Sequence, residues 1–145
     1  MKDLSKFLFI CIIFFSSLTI SSNTSLANET LRLTVNPQYL PADDISSSTL
    51  TADIDIAYGA PVGGYTVYFT IIEGTGYIYP VSEVTNSSGI ATSHYNCSIV
   101  PGQILIKAQT TVQIPPARGG GTKTLTDYEY IYVGEWGNGV SHHFY

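Results

Sequence analysis

The sequence predicts an all-β fold, two packed sheets built from about seven short antiparallel strands. Three observations lead there. Apolar residues recur at every second position in run after run, which is the period of a strand with one buried face. Turns rich in Gly, Pro, Asn and Ser separate these runs at roughly the 8–12-residue spacing of a sandwich. No segment carries an apolar stripe at helical period, and no stretch repeats.

The first 27 residues read as a secretory leader. Lys2 and Lys6 precede a wholly apolar run from Phe7 to Phe15, and Ser25-Leu26-Ala27 forms a small-x-small cleavage signal. The apolar core falls short of the ~20 residues that span a bilayer. Cleavage after Ala27 is expected to leave a domain over 28–133 and a Gly/aromatic tail over 134–145. No membrane span is expected after cleavage. Cys11 would leave with the leader, so Cys97 would have no intrachain partner and the core must hold by packing and hydrogen bonds.

Charge narrows the function classes. The whole chain has six basic and eleven acidic residues. Without Lys2, Lys6 and Asp3 the balance is four to ten, a net charge of −6. Such a surface repels phosphate backbones, so nucleic acid is not an expected partner.

The strands follow in order. Leu31, Leu33 and Val35 alternate with Thr30, Arg32 and Thr34. Pro37 and Pro41 interrupt, and Asp43-Asp44 with three serines makes a polar turn. Leu50, Ala52, Ile54 and Ile56 alternate with Thr49, Thr51, Asp53 and Asp55, the cleanest strand in the chain. The stretch YGAPVGGYTVYF, Tyr58 to Phe69, places a Gly/Pro turn before Tyr65, Val67, Phe69 and Ile71. It predicts that the two flanking runs pair. Gly74-Thr75-Gly76 turns into a weaker strand over Tyr77 to Val84. Asn86-Ser87-Ser88-Gly89 turns into a strand with Ala91, Ser93, Tyr95 and Cys97 on its inner face. Pro101-Gly102 opens a strand over Gln103 to Ile114, with Ile104, Ile106 and Ala108 inward. Pro115 to Thr122 reads as a flexible loop, and Asp127 to Val133 as the last strand. An immunoglobulin-like sandwich accommodates this pattern best, a small barrel next.

Four segments in order carry a family resemblance. They are LTVNPQYLPADDISSSTLTADIDIAYGAPVGGYTVYF (Leu33 to Phe69), GTG (Gly74 to Gly76), TNSSGIA (Thr85 to Ala91) and PGQILIKA (Pro101 to Ala108). Together they resemble the bacterial immunoglobulin-like domain of invasins and intimins, the Big-1 type, over about 80 residues. Asp44 stands where the family usually has glycine, and Ile106 where it usually has valine. The resemblance implies a β-sandwich and a non-enzymatic role in adhesion.

Candidate chemistry is sparse. His94, His142 and His143 are the histidines, and Ser141 is adjacent to the pair. A hydrolase needs a nucleophile, a base and an orienting group, and no such set can be assembled from the sequence. No catalytic or metal-binding residue and no cofactor is therefore assigned. Asp43-Asp44 and Asp53/Asp55 lack a calcium loop around them. Cys97 shares a face with Ala91 and Tyr95 and is expected to be buried and unreactive.

The tyrosines are the candidates for function. Tyr128, Tyr130 and Tyr132 share one face of the last strand. If Ile131 and Val133 point inward, the three form an exposed ladder. In an immunoglobulin sandwich their strand would adjoin the one holding Leu105, and beyond it the one holding Tyr68. These five residues are the candidate contact surface, for a protein or carbohydrate at the cell surface or in the envelope. The chain is thus expected to be secreted, extracellular or in the cell envelope. It would serve as an adhesion module, or alternatively as an accessory subunit of a larger surface assembly. A small secreted hydrolase is the remote third reading.

Overall fold

In the computed structural model, residues 28–134 are described. The leader, Trp136, Ser141, His142 and His143 lie outside the described residues. Among the described residues nine strands form two sheets: β1 (Thr30–Asn36), β2 (Tyr39–Pro41), β3 (Ser47–Asp55), β4 (Thr66–Glu73), β5 (Tyr77–Tyr79), β6 (Ser82–Val84), β7 (Ile90–Asn96), β8 (Gly102–Gln113) and β9 (Thr122–Gly134). One sheet has the order β1-β3-β7-β5 and the other β2-β9-β8-β4-β6. The architecture is the expected immunoglobulin-like sandwich.

Period-two alternation decides which side chains fill it. Leu31, Leu33, Leu50, Ala52, Ile54, Ala91 and Tyr95 point inward from the four-stranded sheet. Val67, Phe69, Ile104, Ile106, Ala108, Ile131 and Val133 meet them from the five-stranded one. Each face follows its sequence pattern. Cys97 is buried as expected, its Sγ 3.3 Å from the Pro41 carbonyl and 3.3 Å from Asp43 Oδ1.

Four expectations about neighbours need correction. The runs either side of the Gly/Pro turn do not pair. β3 bonds to β1 and β7, whereas β4 bonds to β8 and β6. The linker, with a short 3₁₀ turn at Ala57–Gly59, carries the chain from one sheet to the other. Their apolar faces therefore meet across the core instead of lying side by side. The weak strand over Tyr77 to Val84 is two strands in different sheets, split at Pro80. A matching switch at Pro37 creates β2, which pairs in parallel with β9. The last strand starts at Thr122, five residues earlier than expected, and includes Gly134.

Two buried serines hold these switches. Ser48 Oγ donates to the Pro37 carbonyl at 2.6 Å, and Ser93 Oγ donates to the Pro80 carbonyl. Their strands β3 and β7 are adjacent, and Ser48 pairs with Tyr95 while Ser93 pairs with Leu50. Apolar residues at these two positions would leave both carbonyls without these donors.

The polar turn after β2 is built by Asp43. Its carboxylate accepts from the Ile45 and Ser46 amides at 3.0 and 2.8 Å and from the Ser46 hydroxyl at 2.7 Å. The Ser46 bonds first, and then the Ile45 amide, hold the carboxyl well below the usual carboxylate range. Asp44 follows with φ +58, the left-handed region. A glycine would adopt it at less cost, since a Cβ makes that conformation costly. Asp44→Gly is expected to stabilise the fold by about 0.5–1 kcal/mol, read as a rise of a few degrees in the thermal midpoint. A lower midpoint would contradict the backbone argument.

The hairpin tip between β8 and β9 is tied down, contrary to the flexible loop expected. Arg118 Nη1 lies 2.8 Å from Glu29 Oε1, and Lys123 Nζ lies 3.3 Å from Glu29 Oε2. Glu29 is buried just ahead of β1, so the tip and the start of the domain clasp each other. Glu29 is held below its ordinary range, first by its own backbone amide and then by the two cations.

Candidate functional site

The outer face of the five-stranded sheet gathers the candidate residues. Ile131 and Val133 point inward, which sends Tyr128, Tyr130 and Tyr132 outward. Tyr128 is 51% exposed, Tyr130 41% and Tyr68 57%, while Leu105 and Tyr132 are half-buried. Strand register orders them. Tyr130 lies beside Leu105, Tyr128 beside Lys107, and Tyr132 beside Gln103. On the next strand Tyr68 lies beside Gln109 and Thr70 beside Lys107. Leu105 thus sits in the middle strand, flanked by the ladder, while Tyr68 marks the far side.

Reading the sequence missed Tyr39. It lies on β2 opposite Tyr132 and is 55% exposed. Its ring stacks on Tyr132 with centroids 5.1 Å apart and planes 17° from parallel. Tyr132 in turn lies 6.4 Å from Tyr130, at 27°. Three rings therefore form one continuous aromatic row along the edge of the face. Nothing local marks Tyr39, because it sits between two prolines in a stretch that reads as a break. Only the parallel pairing of β2 with β9 brings it there.

The rest of this face is almost free of charge. Thr66, Thr70, Gln103, Gln109, Thr111, Gln113, Thr124 and Thr126 occupy outward positions on the three long strands. Lys107 is there too, and Glu73 shares its side through pairing with Leu105. The opposite sheet differs. Its outer positions include Arg32, Asp53, Asp55 and His94 among threonines, with Tyr77 and Tyr79 exposed on its edge strand β5.

The side of the sandwich beside the tyrosine row is closed by acidic side chains. Asp127 Oδ2 accepts the Leu33 amide of β1 at 2.7 Å. Gln38 Nε2 donates to Glu129 Oε1 at 3.1 Å and to the Tyr130 carbonyl at 3.2 Å. A shallow groove there is lined by Arg32, Leu33, Thr34, Val35, Gln38 and Glu129. These bonds cover the edges of β1 and β9, the usual route to uncontrolled strand pairing.

The other candidates separate. Asp43 serves its own turn, and Asp53 and Asp55 lie on the far sheet opposite Arg32 and Thr30. Among the described residues no three His, Cys, Asp or Glu side chains are placed to hold a metal ion. His94 lies on the outer face of the four-stranded sheet, between Tyr79 and Thr49. Among the described residues no helix is long and apolar enough to cross a membrane.

No family model matches the chain. Over 96 residues it is 27% identical to the inverse autotransporter adhesin YeeJ of Escherichia coli (strain K12). The match covers 66% of this chain and 4% of that protein. Among solved structures, the D0-D1 domain of intimin aligns with a TM-score of 0.56 and 24% identity, over 74% of this chain and half of that one. A 282-residue C-terminal fragment of intimin, solved with the intimin-binding domain of the translocated intimin receptor, aligns with a TM-score of 0.52 and 19% identity. That alignment covers 74% of this chain and 33% of the fragment.

Proposed function

We propose, from the premise that this chain carries the invasin/intimin-type bacterial immunoglobulin-like fold, that it is a non-enzymatic adhesion module. It contacts a protein at the cell surface or in the envelope through the outer face of its five-stranded sheet. The observation that carries this reading is the row Tyr39–Tyr132–Tyr130 beside Leu105 on a face with two charges. Aromatic enrichment with charge depletion is the composition of an interface centre. Tyrosine also supplies large contact area at little entropic cost. The match to an adhesin, and intimin's structure with a receptor domain, support a protein partner. The leader reading of residues 1–27 supports export.

The test is binding of the labelled, exported protein to intact cells. Tyr130→Ser is expected to weaken binding about 30-fold, the effect of losing a ~2 kcal/mol hot spot. Thr92→Ser, on the opposite sheet, is expected to change nothing. Equal binding by wild type and the Tyr130 variant, at matched stability, would remove the face from the reading.

An accessory subunit of a larger assembly is the second reading. The stacked, nearly uncharged tyrosine row favours it, since a permanent contact is more apolar than a transient one. Recovery of a stoichiometric envelope partner through the same face would support it over direct attachment to cells.

A further inference from the structure

We infer that the partner of this face is a second copy of the chain, docked face to face about a two-fold axis. The inference rests on the reading of the face as a contact surface and adds what it contacts.

The first argument is charge. Outside the leader the chain carries a net −6, so most of its surface repels a second copy. The outward positions of the five-stranded sheet carry Lys107 and Glu73 alone, one of each sign. The face is therefore neutral. Neither residue has an ion pair within the chain among the described residues.

The second argument is self-complementarity. A two-fold contact needs each group to meet its complement in an identical patch. Lys107 lies beside Thr70, and Glu73 lies beside Leu105, two rows along and one strand across. These four residues form a small quadrilateral with the two charges on one diagonal. Leu105 and Thr70 occupy the other. A two-fold axis along that second diagonal sets Lys107 opposite the partner's Glu73 and Glu73 opposite the partner's Lys107. The same axis sets Leu105 against the partner's Leu105, so an apolar side chain meets its like at the centre. Extended one strand further, the line reaches Tyr132 on β9, which pairs with Gln103 two rows beyond Leu105. The aromatic row then packs against its own symmetry mate.

The third argument is size. The five strands contain 39 residues. At about 3.4 Å per residue and 4.8 Å between strands, they cover roughly 640 Å² of flat area. Side-chain relief raises this toward the ~800 Å² per partner of a stable interface. The opposite sheet offers no such match, since Arg32, Asp53 and Asp55 give its outer face a net negative charge.

The experiment is sedimentation equilibrium of the exported protein, with Lys107→Glu, Glu73→Lys and the double swap. Wild type is expected to dimerise. Each single reversal sets like charges together and is expected to weaken dimerisation at least tenfold. The double swap restores opposite charges and is expected to recover affinity to within a few-fold. Because both residues lie on the outer face, thermal midpoints should match wild type, which shows that the variants fold. A wild type that stays monomeric at its highest soluble concentration overturns the inference, as does a dimer indifferent to all three variants.

Cell binding by the same variants separates this inference from the reading beneath it. A monomeric wild type whose binding falls with Tyr130→Ser overturns self-pairing and leaves the face as the contact for another protein. A dimer that follows the charge swaps supports self-pairing, and unchanged cell binding in that case removes attachment from the face.

Discussion

Gly89→Ala is expected to destabilise the domain by about 3 kcal/mol. Gly89 has φ +82, where a side chain costs about 1–2 kcal/mol. A Cβ there would also stand 2.5 Å from the Ile54 carbonyl oxygen and 3.1 Å from Val62 Cβ. Backbone cannot yield as a flexible side chain can, and such overpacking adds about 1–3 kcal/mol. The oxygen is fixed because this glycine's own carbonyl accepts the Ile54 amide at 2.9 Å. The turn around it is equally built. Asn86 Oδ1 accepts from the Ser88 and Ile90 amides at 2.9 and 3.1 Å. Beside it, Thr85 Oγ1 donates to the Val62 carbonyl at 2.7 Å and accepts the Tyr65 amide at 3.0 Å. The thermal midpoint should fall roughly 12–24 °C, at about 4–8 °C per kcal/mol for a domain of this size. Gly119→Ala is the control. It too has positive φ (+100), but a Cβ there meets nothing within 4 Å. Its cost should be the ~1–2 kcal/mol of backbone strain alone. Equal midpoints for the two variants would show that the close approach to Ile54 contributes nothing.

Tyr95→Phe is expected to cost about 1–3 kcal/mol and to alter the alkaline limit of stability. Tyr95 is fully buried in the core, and its hydroxyl donates to the Thr75 carbonyl at 2.7 Å. Removing the donor leaves that carbonyl short of a partner. The same bond ties the Gly74–Gly76 turn to β7. Gly76 is required there because a Cβ would stand 2.7 Å from the Tyr95 hydroxyl and 2.6 Å from the Asn96 carbonyl. Burial, and secondarily the nearby Cys97, pushes the phenol from 10.0 up to about 12. The folded state thus favours the neutral phenol more than the unfolded state does. That contribution is whole below pH 10 and is lost as the pH rises toward 12. Wild type should therefore lose stability across this window, and Tyr95→Phe should lose less of it because phenylalanine does not ionise. Denaturant titrations at pH 8 and pH 11 give the comparison. Parallel losses in the two proteins would mean that the phenol titrates alike in the folded and unfolded states.

The physical meaning of the sequence motifs emerges in the same places. GAPVGG and TNSSG are far apart in the chain, yet Thr85 joins them through Val62 and Tyr65. A Cβ at Gly63 would stand 2.8 Å from the Asn86 carbonyl. The two segments are one structural unit, in which a glycine permits close backbone approach and a buried threonine satisfies both sides. Sequence spacing showed each as a turn. Their contact was not legible, because it depends on where β3 and β4 lie in different sheets.

The candidate surface divides in a similar way. That Tyr128, Tyr130 and Tyr132 share a face follows from alternation alone. Which face it is could not be read, since the opposite face mixes Asp127 and Glu129 with Ile131 and Val133. The two carboxylates point into the sandwich side because Leu33's amide and Gln38's amide group await them. Those partners lie more than 90 residues away in sequence.

By itself the sequence determined the all-β class, the turns, and the inward set of nearly every strand. Side-chain direction alternates with a fixed period of two, so one run of residues suffices to display it. Only the tertiary structure decided which strands are neighbours, where the chain switches sheets, and that Tyr39 extends the aromatic row. Strand pairing is made by backbone amides and carbonyls that are alike at every position, so a strand's sequence marks its buried face and leaves its neighbour to the packing of the whole core.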